Sequence, residues 1–148
     1  MFKIFVINPG SSSLKIALFD GPEQRWSVTK RHDPEKIRSF PAAYDQIDFR
    51  MAAIDEVIAE KGVDFSEIDA IACRGGFCKP LESGTYTING ELLDDLKHAR
   101  WGEHAANISP FCGKRLSERY GKPAFYTDPV SVDEFRPEAY VTGLPGVL

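Results

Sequence analysis

The sequence predicts an α/β domain whose sheet opens with antiparallel strands, and three observations predict it. Two apolar, alternating runs stand at the beginning on either side of a Gly/Ser turn, an amphipathic segment follows near residues 40–61, and short apolar strands then interleave with further helical segments. At 148 residues the chain is about one domain long. Its 43% apolar and 27% charged residues are those of a globular protein with a packed core rather than of a disordered chain.

Phe2 to Ile7 is a Val/Ile-rich run that Asn8-Pro9-Gly10-Ser11-Ser12-Ser13 stops abruptly. Leu14 to Asp20 alternates again before Gly21-Pro22, and Arg25 to Lys30 gives a third, weaker alternation, so the opening reads as an antiparallel three-strand meander. From about Phe40 to Lys61, Ile47, Met51, Ile54, Val57 and Ile58 recur at spacings of three and four, and Lys61-Gly62 closes the helix. Ile68 to Ala72 reads as a short buried strand that breaks at Arg74-Gly75-Gly76 into an irregular region reaching about Asn89. Gly90–Arg100 and Ala105–Arg119 have helical spacing, and Ala124–Thr127 is a brief strand ahead of Asp128-Pro129, for an order βββαβααβ.

A formal charge of -4 and a pI near 5.4 argue against a general nucleic-acid or anionic-membrane surface, so an anion must be held by local geometry. Cys73, Cys78 and Cys112 are an odd set without metal-site spacing, read as reduced thiols. The apolar N-terminus is too short for a signal peptide and no run approaches the roughly 18 residues of a membrane helix, which predicts a soluble, cytoplasmic protein.

Three strand ends, at Asn8, Arg74 and Asp128, deliver a polar residue into a turn, and ligands of α/β sheets favour the carboxyl ends of strands. Asn8 to Ser13 offers a glycine for close backbone approach, successive N–H groups and three hydroxyls, the makings of a phosphate cradle, although an ordinary hairpin turn has the same composition. It is neither a Walker loop nor a dinucleotide fingerprint, because no Gly-Lys-Ser/Thr follows and the next element is a strand. Arg74 suits a bidentate clamp on carboxylate or phosphate, or else a structural ion pair. Asp128 suits either an Asx turn or a carboxylate aimed into a cleft. His104, at a helix start, is either a neutral hydrogen-bonding group or a cap, while His32 and His98 read as surface residues.

Ile-Asn-Pro-Gly-Ser-Ser-Ser-Leu-Lys-Ile-Ala, from Ile7 to Ala17, resembles the opening signature of the acetate and butyrate kinases, members of the actin-like ATPase superfamily with a ribonuclease-H-like core. Arg74-Gly75-Gly76 with Lys79-Pro80, Gly84-Thr85-Tyr86, Glu103-His104-Ala105-Ala106-Asn107 and Thr127 to Glu134 resemble the butyrate type more than the acetate type. The resemblance spans the chain. It departs at Phe77 and Cys78, which reshape an acyl pocket at most, and Ser-Ser-Ser-Leu-Lys leans toward acetate kinase.

What the resemblance implies is a ribonuclease-H-like α/β domain with helices packed on a mixed sheet. It also implies reversible, ATP-dependent phosphorylation of butyrate or a branched relative to an acyl phosphate, with ATP/ADP and magnesium as cofactors. Residues 1–148 would be the N-terminal domain of a two-domain kinase, ending just after Thr142-Gly143-Leu144-Pro145, inactive without the C-terminal domain and homo-oligomeric in full-length form. Asn8, Gly10, Ser11, Ser12, Ser13 and Lys15 would hold phosphate, although Lys15 on its strand could simply face solvent. Arg74, Asp128 and His104 would be catalytic, with Asn8 and Asp128 near magnesium through water and Asp133 and Glu134 as alternatives to Asp128. The competing readings are an acetate or propionate kinase, and a non-catalytic phosphate- or partner-binding module.

Overall fold

The computed structural model describes residues 1–140; Thr142–Pro145 lie outside the described residues. The predicted meander is present: β1 (Lys3–Pro9), β2 (Ser13–Asp20) and β3 (Glu23–Arg31) pair antiparallel in sequence, with a bulge between Leu18 and Phe19. Asp33 caps the short α1 (Pro34–Arg38) by accepting the Glu35 N–H. Then come α2 (Ile47–Lys61), β4 (Ala70–Arg74), β5 (Thr85–Thr87), α3 (Gly90–Lys97), α4 (Ser109–Tyr120) and β6 (Ala124–Thr127). All six strands form one mixed sheet of order β3-β2-β1-β4-β6-β5, in which β1, β4 and β6 run parallel and β5 is antiparallel to β6.

The long helix begins at Ile47 rather than Phe40, because Asp45 accepts the Ala42 N–H and a 3-10 turn fills Ala43–Gln46. It ends as expected, on Gly62 in the left-handed region at φ 58°. Helix α4 likewise starts at Ser109 rather than Ala105: Pro110 has no N–H to give and suits a first turn, and a 3-10 turn over Ala105–Ile108 precedes it. The region read as irregular up to Asn89 contains β5, three residues that pair with Thr127, Tyr126 and Phe125.

Strand alternation divides the sheet into two unlike faces. Phe5, Ile7, Leu14, Ile16, Ile71 and Cys73 point toward α2 and α4, where Ile54, Val57, Cys112 and Leu116 meet them with no exposed surface. Each such buried side chain contributes about 1.5–3 kcal/mol of transfer free energy. Gly113 lets α4 approach β4, since a Cβ there would strike the Cys73 sulfur. A smaller apolar cluster of Cys78, Leu96 and Tyr126 seats α3. The opposite face carries Ile4, Val6, Phe19 and Ala72, half-buried around a concavity of about 380 Å³ that also includes Asn8, Arg74 and Thr127. No described helix is long and apolar enough to cross a membrane.

Candidate phosphate-binding site at the strand ends

The turn between β1 and β2 is closed by the Gly10 N–H donating to the Ser13 carbonyl at 2.8 Å. Every carbonyl from Gly10 to Ser13 is then engaged from beneath. Arg50 donates to Ser13 O at 2.7 Å, Gly10 O at 3.0 Å and Ser11 O at 3.2 Å, and the His32 N–H donates to Ser12 O at 2.9 Å. The N–H groups of Ser11 and Ser12, by contrast, meet no acceptor among the described residues, and both residues are exposed. Carbonyls inward and amides outward is the polarity of an anion-binding concavity.

Sequence reasoning missed Arg50, although a signal was there. It stands three residues after Ile47 and four before Ile54, on the face of α2 that the apolar spacing marks as buried, and it is 0% exposed. Gln46 receives its Nε and one Nη. Among the described residues no carboxylate forms an ion pair with it.

A polar row crosses the open face at the strand ends. Asn8 lies opposite Lys15, Arg74 lies opposite Thr127, and Arg74 follows Cys73, which is aligned with Ile7. Lys15, Asn8, Arg74 and Thr127 therefore stand side by side across β2, β1, β4 and β6, and the first three are exposed. Among the described residues neither Lys15 nor Arg74 has a carboxylate within ion-pair distance, so the structural ion pair considered for Arg74 is absent there. Gly75 and Gly76 set the direction in which the chain leaves Arg74. A Cβ on Gly75 would collide with Pro129 and one on Gly76 with Asn107, while the Gly75 N–H donates to Thr127 O at 2.8 Å.

The remaining predicted residues divide. Asp128 sits at φ 39°, its N–H donating to Gly84 O and its Oδ1 accepting the Gly84 N–H at 2.9 Å, so one carboxylate oxygen serves the turn. It does not line the concavity that holds Asn8 and Arg74. Glu134 is spent on Ser83, whose hydroxyl and N–H hold its carboxyl below the usual range. His104 caps the 3-10 turn, its Nδ1 accepting the Ala106 N–H at 3.1 Å, and its ring meets Phe77 edge-on at 5.8 Å. It shares a groove of about 300 Å³ with Ser11, separate from the Asn8–Arg74 concavity.

Asn107, its companion in the sequence pattern, is a scaffold. It accepts the Phe77 N–H and donates to Gly102 O, both at 2.9 Å. His32 is not a surface residue: its Nε2 is buried without a partner among the described residues, and burial and then Arg50 push its pKa down. The three cysteines are free and buried, and burial pushes the Cys73 and Cys112 thiols up to about 12. Cys78 packs in the α3 cluster with its thiol on Lys79 O and Ser131 Oγ.

Magnesium typically keeps several waters and takes only one or two carboxylates beside phosphate oxygens. Among the described residues no group of three His, Cys, Asp or Glu side chains gathers to hold an ion, and Asp128, with one oxygen on the Gly84 N–H, lies outside the concavity that holds Asn8.

No protein-family model matches the chain. It is 40% identical over 145 residues to the probable butyrate kinase 2 of Caldanaerobacter subterraneus subsp. tengcongensis, covering 98% of this chain and 41% of that relative. The crystal structure of Porphyromonas gingivalis acetate kinase superposes with a TM-score of 0.59 at 18% identity, over 98% of this chain and 42% of that one. That likeness shows the fold, a mixed sheet with helices packed on it. The chain spans about two-fifths of the length of the butyrate kinase it matches. Across the stretch it spans, this chain is similar in sequence to a butyrate kinase and in fold to an acetate kinase.

Proposed function

We propose that this chain forms the phosphate-holding wall of an ATP-dependent kinase that transfers a phosphoryl group reversibly to a short-chain carboxylate of the butyrate class. The observation that carries the reading is Arg74, an exposed guanidinium without a carboxylate partner among the described residues, in register beside Asn8 at the strand ends. A cation held free at the surface of a concavity is available to an anionic substrate, and a guanidinium forks onto carboxylate or phosphate oxygens.

Phosphoryl transfer rests on positioning and charge neutralisation rather than on covalent chemistry with the protein. The outward N–H groups of Ser11 and Ser12, with the hydroxyls of Ser11, Ser12 and Ser13 and the N-terminal Gly10 turn, hold phosphate oxygens. Lys15 and Asn8 extend that hold along the row, and Arg74 orients the carboxylate and the equatorial oxygens. His104, with Nδ1 committed to its cap, offers Nε2 from the neighbouring groove. Asn8 and Asp128 would help hold magnesium through water, and the ion would supply charge neutralisation to the transferring group.

In this reading residues 1–148 are the N-terminal domain of a two-domain enzyme, and a second domain supplies the nucleotide pocket. The chain alone is then inactive, and the whole enzyme is a cytoplasmic homo-oligomer. The test replaces the matching 145 residues of the Caldanaerobacter relative with this chain and measures acyl hydroxamate formation from ATP, magnesium and butyrate. The hybrid turns over, Arg74→Ala in it loses about 10²–10³-fold in kcat, as for a deleted transition-state donor, and residues 1–148 alone stay at background. Full turnover by the Arg74→Ala hybrid refutes the site, and robust turnover by the chain alone refutes the two-domain reading. Acetate and propionate run in parallel gauge acyl length, where a methylene is worth about 1–3 kcal/mol.

A further inference from the structure

Arg50 combines three properties seldom found together. It is 0% exposed, it has no ion-pair partner among the described residues, and it donates to three of the four carbonyls of the Gly10–Ser13 turn. A buried charge without a counter-charge is costly, and protein interiors normally supply one. Here only neutral acceptors surround it: the three carbonyls and Gln46 Oε1. The Ser11 and Ser12 N–H groups of the same turn meet no acceptor among the described residues, and both residues are exposed.

We infer that Arg50 is the positioning residue of the phosphate loop, and that the phosphoryl group bound on the outer side of the turn is its missing counter-ion. The inference rests on the reading of Gly10–Ser13 as a phosphoryl site. By drawing the carbonyls of Gly10, Ser11 and Ser13 downward, the guanidinium leaves only donors facing the ligand. Its charge adds attraction from below without touching the ligand. Gln46 holds the guanidinium flat against the turn through Nε and one Nη, and it is a neutral amide where a carboxylate of the same shape would have cancelled the charge. His32 has the same polarity: its N–H occupies the fourth carbonyl while its ring, pushed toward the neutral form, adds no competing cation.

Gln46→Glu separates this role from a purely structural one. It gives Arg50 an internal counter-ion in the same geometry, so the fold is held at least as firmly, while the charge available to the ligand is cancelled. The measurement is a titration of the ¹⁵N-labelled chain with inorganic phosphate at constant ionic strength, followed at the Ser11 and Ser12 amides, beside thermal unfolding of each variant.

The wild-type chain shows saturable shifts at those amides. Gln46→Glu binds phosphate about tenfold more weakly, the effect of neutralising one nearby unit charge, with an unchanged or higher melting temperature. Arg50→Lys, which keeps the charge but spans fewer carbonyls, loses less affinity than Arg50→Met. Wild-type affinity in Gln46→Glu overturns the inference and leaves the loop reading intact. Absence of saturable shifts in the wild-type chain overturns the loop reading, and the inference falls with it.

Discussion

Asn107→Ala tests whether the turn after Arg74 is held in place by one side chain. The amide of Asn107 is 3% exposed and bridges two segments, accepting the Phe77 N–H at 2.9 Å and donating to Gly102 O at 2.9 Å. It also packs directly on Gly76, where no side chain has room. Truncation orphans one donor and one acceptor, each costing about 1–3 kcal/mol when buried. Both partners are only part-buried, so the lower half of that range applies and the total is about 2–4 kcal/mol. For a chain of this size that lowers the melting temperature by roughly 5–15 °C.

The assay is thermal unfolding by circular dichroism, paired with amide hydrogen exchange at Phe77. The expected result is the drop in melting temperature together with faster exchange at Phe77 in the native state. Asn107→Asp keeps the acceptor for Phe77 and loses the donor to Gly102, so it separates the two bonds by preserving slow exchange at Phe77. A melting temperature for Asn107→Ala within about 1 °C of wild type would refute the scaffold argument, because a change that small corresponds to less than about 0.5 kcal/mol.

Arg74→Gln removes an exposed cation that makes no ion pair among the described residues, so stability stays within about 0.5 kcal/mol of wild type; a large loss in urea unfolding would reveal a structural bond instead. Cys73 and Cys112, with thiols pushed up to about 12, resist iodoacetamide in the folded chain at pH 8 and react on denaturation, as read by intact mass. His32 has its folded-state pKa depressed, so the unfolded chain binds the extra proton as pH falls through about 6.5. The stability it contributes is present above that value and is lost below it, and His32→Phe flattens the dependence of melting temperature on pH between 7 and 5. A wild-type profile already flat over that window contradicts the burial argument.

How much of this was legible follows from what each signal depends on. The meander and the Gly62 stop of α2 rest on local alternation and turn chemistry, which the sequence carries outright. The starts of α2 and α4 were read too early, because apolar spacing continues through 3-10 turns that only a capping Asp45 and a Pro110 distinguish. Strand β5 was lost altogether: Thr-Tyr-Thr is too short to show a period, and it exists because β6 offers an edge.

At the site, the strand ends pointed to Asn8 and Arg74, and the register brought them side by side. Asp128 and Asn107 are different, since both belong to segments rich in pattern yet spend side-chain atoms on backbone groups distant in sequence. A residue type in a pattern does not say where its hydrogen bonds go. Arg50 was readable only as an anomaly, a cation on the apolar stripe of a helix, and the carbonyls that receive it lie some forty residues earlier, with a separation of 40 for Gly10.

The division of the sheet into one covered and one half-exposed face also governs how the isolated chain behaves at high concentration. Its edges are poor templates for strand addition: β3 carries Arg25, Lys30 and Arg31, and β5 is three residues long. The broad face around Ile4, Val6 and Phe19 has no such protection. Self-association of this polypeptide therefore runs through side chains rather than backbone pairing. The expected behaviour on concentration is salt-promoted turbidity that reverses on dilution, and thioflavin-positive fibrils would contradict it.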